Sequence, residues 1–397
     1  MTAKKLWLIV TCICTVLTNI SAKTYKVSSR EQCEAAVRQL KAGDEIILGN
    51  GEYANWEILI GTNGTAAKPI VIKAASPGKA IFQGEINKPV FTITGSYIRL
   101  EGLSFINCRQ VKANGGNGII VELKSSKFCR ITDCSFQNNS TINQFTPMVS
   151  VSGKGENNRL DHCRFSVNTD NQEVQVKITD KETPEYTMID HNEFSNKPPV
   201  SWQNANGGEC IQIGQDPVLL GIKESYTTVR DNRFFACDGE PEVISNKSSG
   251  NRYINNYFDK CRGELVMRGG HDCLIDSNTI RNGSGGIRVN GTNHTITNNK
   301  LTGMATGIRL MYGMTGGKTE VGFYVAASNC TISSNEIADC KTGIYIGGSK
   351  NTDWTGKFDT KRYPSRTMQD VPPSNNIING NRITNTETMI FHNETAD

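Results

Sequence analysis

The stretch NRYINNYFDKCRGELVMRGGHDCLIDSNTIRNGSGGIRVNGTNHTITNNKLT (Asn251–Thr302) states one phrase three times, as NRYINNYFD, HDCLIDSNTI and NHTITNNKLT. Each phrase alternates apolar and polar residues, passes through Asn or Asp, and lands on Phe258, Ile280 or Leu301, which are 22 and 21 residues apart. Working outward, the phrase recurs upstream at Phe105, Phe136, Phe165, Phe194 and Phe234, and downstream at Ile337 and Ile383. The longer intervals are the same unit with a loop added. Strand-type alternation at a period in the twenties marks a solenoid. A leucine skeleton is absent, and propeller blades need about twice this length. The sequence therefore predicts an all-β, single-domain right-handed parallel β-helix over residues 23–397. Asn at its bends suits left-handed backbone.

A second phrase lies between the anchors: ECIQIGQ, ELVMRGG, GIRVNG, GIRLMYG and GIYIGG. Alternation along a strand points Ile211, Ile287, Ile308 and Ile344 inward and Gln212, Arg288, Arg309 and Tyr345 outward. The first open end of a solenoid needs cover. SSREQCEAAVRQLKAG supplies an N-terminal capping helix, with Ser28 and Glu31 reading as a capping box and Gly43 as the stop. No matching cap is legible at the other end, where WTGKFDTKRYPSR is the candidate cover.

Lys4 and Lys5 precede the apolar run Leu6–Leu17, and small residues follow to Ala22. This reads as a cleaved signal peptide over residues 1–22, implying a secreted or periplasmic protein. No other stretch has the ~18 apolar residues of a membrane span. The net charge of +4 is too weak to argue for nucleic acid. Of thirteen cysteines, eleven follow the signal, with no zinc spacing among them; they read as small buried residues.

Residues one period apart become lateral neighbours, ~4.8 Å apart. Lys247, Arg268, Arg288 and Arg309 are 21, 20 and 21 residues apart, so they are expected to form a basic column. Such a column would grip an acidic polymer, with each arginine forking onto a carboxylate. At its end lie Glu240 and Glu242, and one coil earlier Asn206 and Glu209. Two carboxylates and an amide oxygen form a hard, oxygen-only set suited to Ca2+. Two acids on one side of one strand do not flank a glycosidic bond as a hydrolase requires. A cation that neutralises a uronate acidifies the adjacent C–H, and a lysine can take that proton. A free lysine titrates near ~10.4, so Arg268 and a metal ion would have to lower it.

These residues resemble polysaccharide lyase family 6, which contains β-helical alginate lyases and chondroitinase B. The resemblance is carried by NGGE, EVISNKSSGN, GELVMRGG and GGIRVNGTNHTITNN, and it extends over most of the mature chain. It implies calcium-assisted β-elimination, with Lys247 as base, Arg268 as catalytic arginine, and Asn206, Glu240 and Glu242 as calcium ligands. The family often carries a histidine directly after the arginine; here Gly269 stands there and His271 follows two residues later. Arg288, Arg309, His271, His294 and Tyr345 are the substrate-binding candidates. The phrases lean toward alginate. Arg362 and Arg366 would be the sulfate ligands of a dermatan sulfate lyase, and a non-catalytic polysaccharide-binding solenoid is the remaining alternative. An acceptor sequon covers Asn246, where a glycan would obstruct the site, so the sequon matches are read as chance.

Overall fold

The computed structural model describes residues 22–216, 221–318 and 322–393; most of the predicted signal peptide lies outside them. Three parallel sheets of 13, 12 and 13 strands run the length of the chain. Each coil contributes one short strand to each sheet, as in a parallel β-helix. Among the described residues the only helix is Arg30–Val37, packed against the first coils.

The anchor residues stack in register. Phe105 pairs with Phe136, Phe136 with Phe165, and so on through Phe194, Phe234 and Phe258 to Ile280, Leu301, Ile337 and Ile383. The phenylalanine rings lie nearly parallel, with centroids 4.5–4.9 Å apart from Phe105 to Phe258. That spacing is the strand repeat itself, so one side chain per coil fills the interior without a gap.

The bends explain the Asn signature. Asp231, Asn255, Ser277, Asn298 and Ser334 take left-handed backbone, with φ of 53–57°. The residue after each is a buried asparagine. Asn232, Asn256, Asn278, Asn299 and Asn335 each receive the main-chain and side-chain N–H of the coil before, at 2.9–3.2 Å. A buried amide is tolerated only when satisfied, and this ladder satisfies it.

Two end features differ from expectation. The helix N-cap is Ser29, which accepts from the Gln32 amide, while Gln32 reaches back to the Ser28 N–H at 2.7 Å. The box is shifted by one residue because glutamine serves as well as glutamate in the return bond. The helix ends at Val37, before Gly43. The segment 354–366 is not an end cap: it leaves the coil through the hairpin Thr352–Asp353/Met368–Gln369 and lies against the second-phrase sheet. The eleven cysteines are all buried and unpaired. Among the described residues no helix is long and apolar enough to cross a membrane.

Candidate active site

The second-phrase strands form the 12-stranded sheet, and their alternation places the chemistry. Ile211, Ile287, Ile308 and Ile344 are fully buried inside. Gln212, Ser245, Val266, Arg288, Arg309 and Tyr345 form one outward column. Lys247 and Arg268 follow Asn246 and Met267, which pair directly, so amine and guanidinium project from adjacent coils at the strand ends.

The predicted four-membered basic column is not formed. Met267 pairs with Val289, 22 residues on, so Arg268 aligns with Asn290 and Arg288 falls two positions earlier. Arg288 instead reaches back to the Glu242 carboxylate, and Arg309 reaches back to Glu264. Both arginines are thus neutralised within the chain, which removes the argument that a partnerless stack must serve a ligand.

Glu209, Glu240 and Glu242 offer carboxylate oxygens that all lie within 4.8 Å of one another, and all three residues are buried. The turns beneath them are close-packed: a Cβ on Gly239 would lie 2.2 Å from the Gly208 carbonyl oxygen, so glycine is required in both NGGE and DGEPE. Gly207 and Gly208 turn their N–H groups to Glu240. Gln172 and Gln212 donate to Glu209, and Lys247 Nζ stands 3.6 Å from it. Burial and the repulsion of Glu209 and Glu242 push the Glu240 carboxyl well above its usual range. Glu242 behaves oppositely: burial opposes its charge, but Arg288, Arg268 and Lys247 hold it down to about 2. Its second oxygen is buried without a hydrogen-bond partner. Three converging carboxylates with an orphaned oxygen fit a hard divalent cation. The sequence reading gave Glu209 no role; counting back from the pair Ile211–Ile244 puts it in line with Glu242, a signal that needed the register. Asn206 lines the cleft beside this cluster.

Arg268 is held on several sides. Its guanidinium lies 3.5 Å from Glu242, donates to the Tyr324 hydroxyl at 3.0 Å, and sits 5.4 and 5.1 Å from the Phe323 and Tyr324 ring centroids. Burial opposes its charge, yet Tyr324 and the three acids hold its proton more firmly than that of a free guanidinium. Lys247 and Arg268 open onto a cleft of about 560 Å³, walled by Phe323, Phe358, Arg362 and Tyr363. Phe323 and Phe358 stack at 4.6 Å. These wall residues carry no periodic signal in the sequence.

Other candidates lie elsewhere. His294 is buried as a rung of the turn ladder: its Nδ1 accepts from the Cys273 N–H at 3.1 Å, and its Nε2 faces the Asn290 carbonyl at 3.2 Å. His271 is buried, paired with Asp272 at 2.7 Å, and does not line the cleft. Tyr345 packs against Phe391, with centroids 5.2 Å apart, beyond the cleft. Arg362 lines the cleft, whereas Arg366 is bonded to Asp370 and the Met314 carbonyl. Asn246 is buried and donates to the Ser248 and Gly269 carbonyls, so it cannot carry a glycan in this fold.

The family model for chondroitinase B matches residues 27–397. A mannuronic acid-specific family 6 polysaccharide lyase from human gut microbiota is 26% identical, with TM-score 0.75 over 93% of this chain and 82% of that one. The family 6 alginate lyase AlyGC is 27% identical, with TM-score 0.71 over 82% of this chain; the match spans only 45% of AlyGC. A family 6 lyase from Pseudopedobacter saltans shares the fold at 22% identity, with TM-score 0.73 over 92% of both chains. Among curated protein sequences none matches. With a family match that covers nearly the whole chain and a parallel β-helix beneath it, this protein belongs to the chondroitinase B family, polysaccharide lyase family 6.

Proposed function

We propose that the protein is a secreted alginate lyase that cleaves polyuronate by β-elimination with help from Ca2+. The observation that carries this reading is the juxtaposition of Lys247 and Arg268 with the acid cluster on the floor of one cleft. Arg268 is fixed with its charge facing the position of a uronate carboxylate, which drains density from the adjacent carbon. Lys247 takes the C5 proton; the electron pair closes a C4–C5 double bond as the C4–O4 bond breaks, and O4 leaves with a proton from solvent or the lysine ammonium. Glu209, Glu240 and Glu242 would hold the divalent cation, which would supply further neutralisation of that carboxylate. The flanking Phe323 and Phe358 rings offer apolar faces to a pyranose. Alginate is favoured because every sugar in it carries the carboxylate this chemistry needs, and because lyases of similar structure are described as acting on it. Dermatan sulfate is the second reading, favoured by the single observation that Arg362 lines the cleft.

The test is a panel of alginate blocks, dermatan sulfate and pectate, each followed for ultraviolet absorbance of the unsaturated uronate. Absorbance should rise on alginate and not after Lys247→Ala. Binding without absorbance on every polymer would leave a carbohydrate-binding solenoid and remove the enzyme; a saturated product would point to hydrolysis.

A further inference from the structure

We propose that the polymer is held along a lysine track that runs from the cleft toward the N-terminal coils, with carboxylate subsites at Lys177 and Lys124. This rests on the reading of the substrate as a polyuronate.

Register places the track. Lys124 pairs with Ser152. Val151 pairs with Val176, Val176 with Ile213, Ile213 with Asn246, and Asn246 with Met267. The next residue of each strand therefore gives one straight outward column: Lys124, Ser152, Lys177, Gly214, Lys247, Arg268. Lysine occupies every second coil, and the coils between hold serine and glycine. Two inter-strand spacings separate successive lysines, roughly 10 Å. An extended 1,4-linked uronan advances by about one such spacing per sugar and turns successive carboxylates to opposite sides. Its same-side carboxylates thus recur with the lysines.

Charge and shape support the direction. Lys124 and Lys177 are exposed, and among the described residues neither appears in a salt bridge, whereas Arg288 and Arg309 on the other side of the site are each closed onto a glutamate. Lys112 adds a further positive charge beside Lys177 and is itself tied to the Gln144 and Phe145 carbonyls at 3.2 and 2.8 Å. Like charges gathered without counter-ions favour an anionic ligand. The cleft extends the same way: its lining includes Gln175, Lys177, Gln212 and Gln215, and includes neither Arg288 nor Arg309.

The experiment compares wild type, Lys177→Gln, Lys124→Gln, the double variant, and Lys300→Gln, an exposed lysine on another sheet. Each is assayed on polymeric alginate and on short uronate oligomers, and its affinity for the polymer is measured by calorimetry at two salt concentrations. Lys177→Gln is expected to raise KM for polymer by about 3- to 10-fold, with a smaller loss in kcat, and Lys124→Gln by about 2-fold. The Lys124→Gln effect should vanish on oligomers too short to reach it. The double variant should show a shallower salt dependence, and Lys300→Gln should match wild type. Equal polymer KM, affinity and salt slope in wild type and double variant would overturn the track. If wild type binds polymer but forms no unsaturated product, the lyase reading fails, and the track still stands or falls on the double variant's affinity. If wild type binds no acidic polymer, both fail.

Discussion

His294 gives the sharpest test of how the coil turns are built. Burial pushes its imidazole down to about 4, against the favourable Asn290 carbonyl and the opposing His271 and Asp272 charges. In the unfolded chain it titrates near ~6.5. The folded value is the lower one, so the contribution to stability is fully present above the unfolded value and is lost as pH falls toward the folded one. Linkage puts the loss at about 2 kcal/mol at pH 5 and about 3 kcal/mol at pH 4. For a chain of 397 residues the unfolding entropy converts the latter into about 4 °C of Tm. The perturbation is His294→Asn, which keeps an acceptor for the Cys273 N–H and a donor for Asn290, as the other rungs do, and cannot protonate. Thermal melts of both proteins from pH 7.5 to pH 4 cancel the carboxylate contributions common to both. The wild-type advantage at pH 7.5 should shrink by about 4 °C by pH 4. A difference in Tm that stays flat across that range would mean that His294 is not held neutral in the interior.

Three further outcomes follow from the site. Lys247→Ala should lower kcat by roughly 10²- to 10⁴-fold while the melting curve and circular dichroism stay those of wild type; residual activity near wild type would dismiss it as the base. Arg288→Met strands the buried Glu242 carboxylate with fewer counter-charges and should cost about 2–4 kcal/mol, largely recovered in Arg288→Met/Glu242→Gln; an unchanged Tm with a raised KM would instead make Arg288 a free substrate ligand. Calcium should raise the wild-type Tm, by up to about 2.7 kcal/mol of stability at a hundredfold excess over Kd, and a chelator should reverse it. Glu209→Gln should shrink that increment, and an undiminished increment would remove Glu209 from the ligand set.

The repeating part of the molecule was legible because its physics is local and repeated. Every phenylalanine or aliphatic anchor predicted to stack does stack, since one interior side chain per coil must contact its copy ~4.8 Å away. The Asn-rich bends announce themselves for the same reason. What was hidden is what happens once. The wall formed by Phe323, Phe358, Arg362 and Tyr363 is assembled from two excursions whose residues meet only in space. His294 looked like an isolated surface histidine because its ladder neighbours are asparagines, and only the bond to the Cys273 amide reveals that imidazole replaces an amide here. Glu209 was visible as a residue, but its convergence with Glu240 and Glu242 depends on a coil enlarged by a loop.

The same dependence on register decides which way the site faces. An interval of 20 residues between Arg268 and Arg288 looks like one coil, but the coil there has 22, as Met267 against Val289 shows. In a strand a shift of two positions keeps the side chain on the same face and moves it along the strand. Arg288 therefore stays outward yet lands over Glu242 instead of beside Arg268. That displacement turns a proposed substrate grip into an internal clamp that keeps Glu242 ionised. It also leaves the free positive charge on the opposite side of the cleft, at Lys177 and Lys124. Coil length, more than residue type, sets which arginines stabilise the protein and which cations remain for a polyanion.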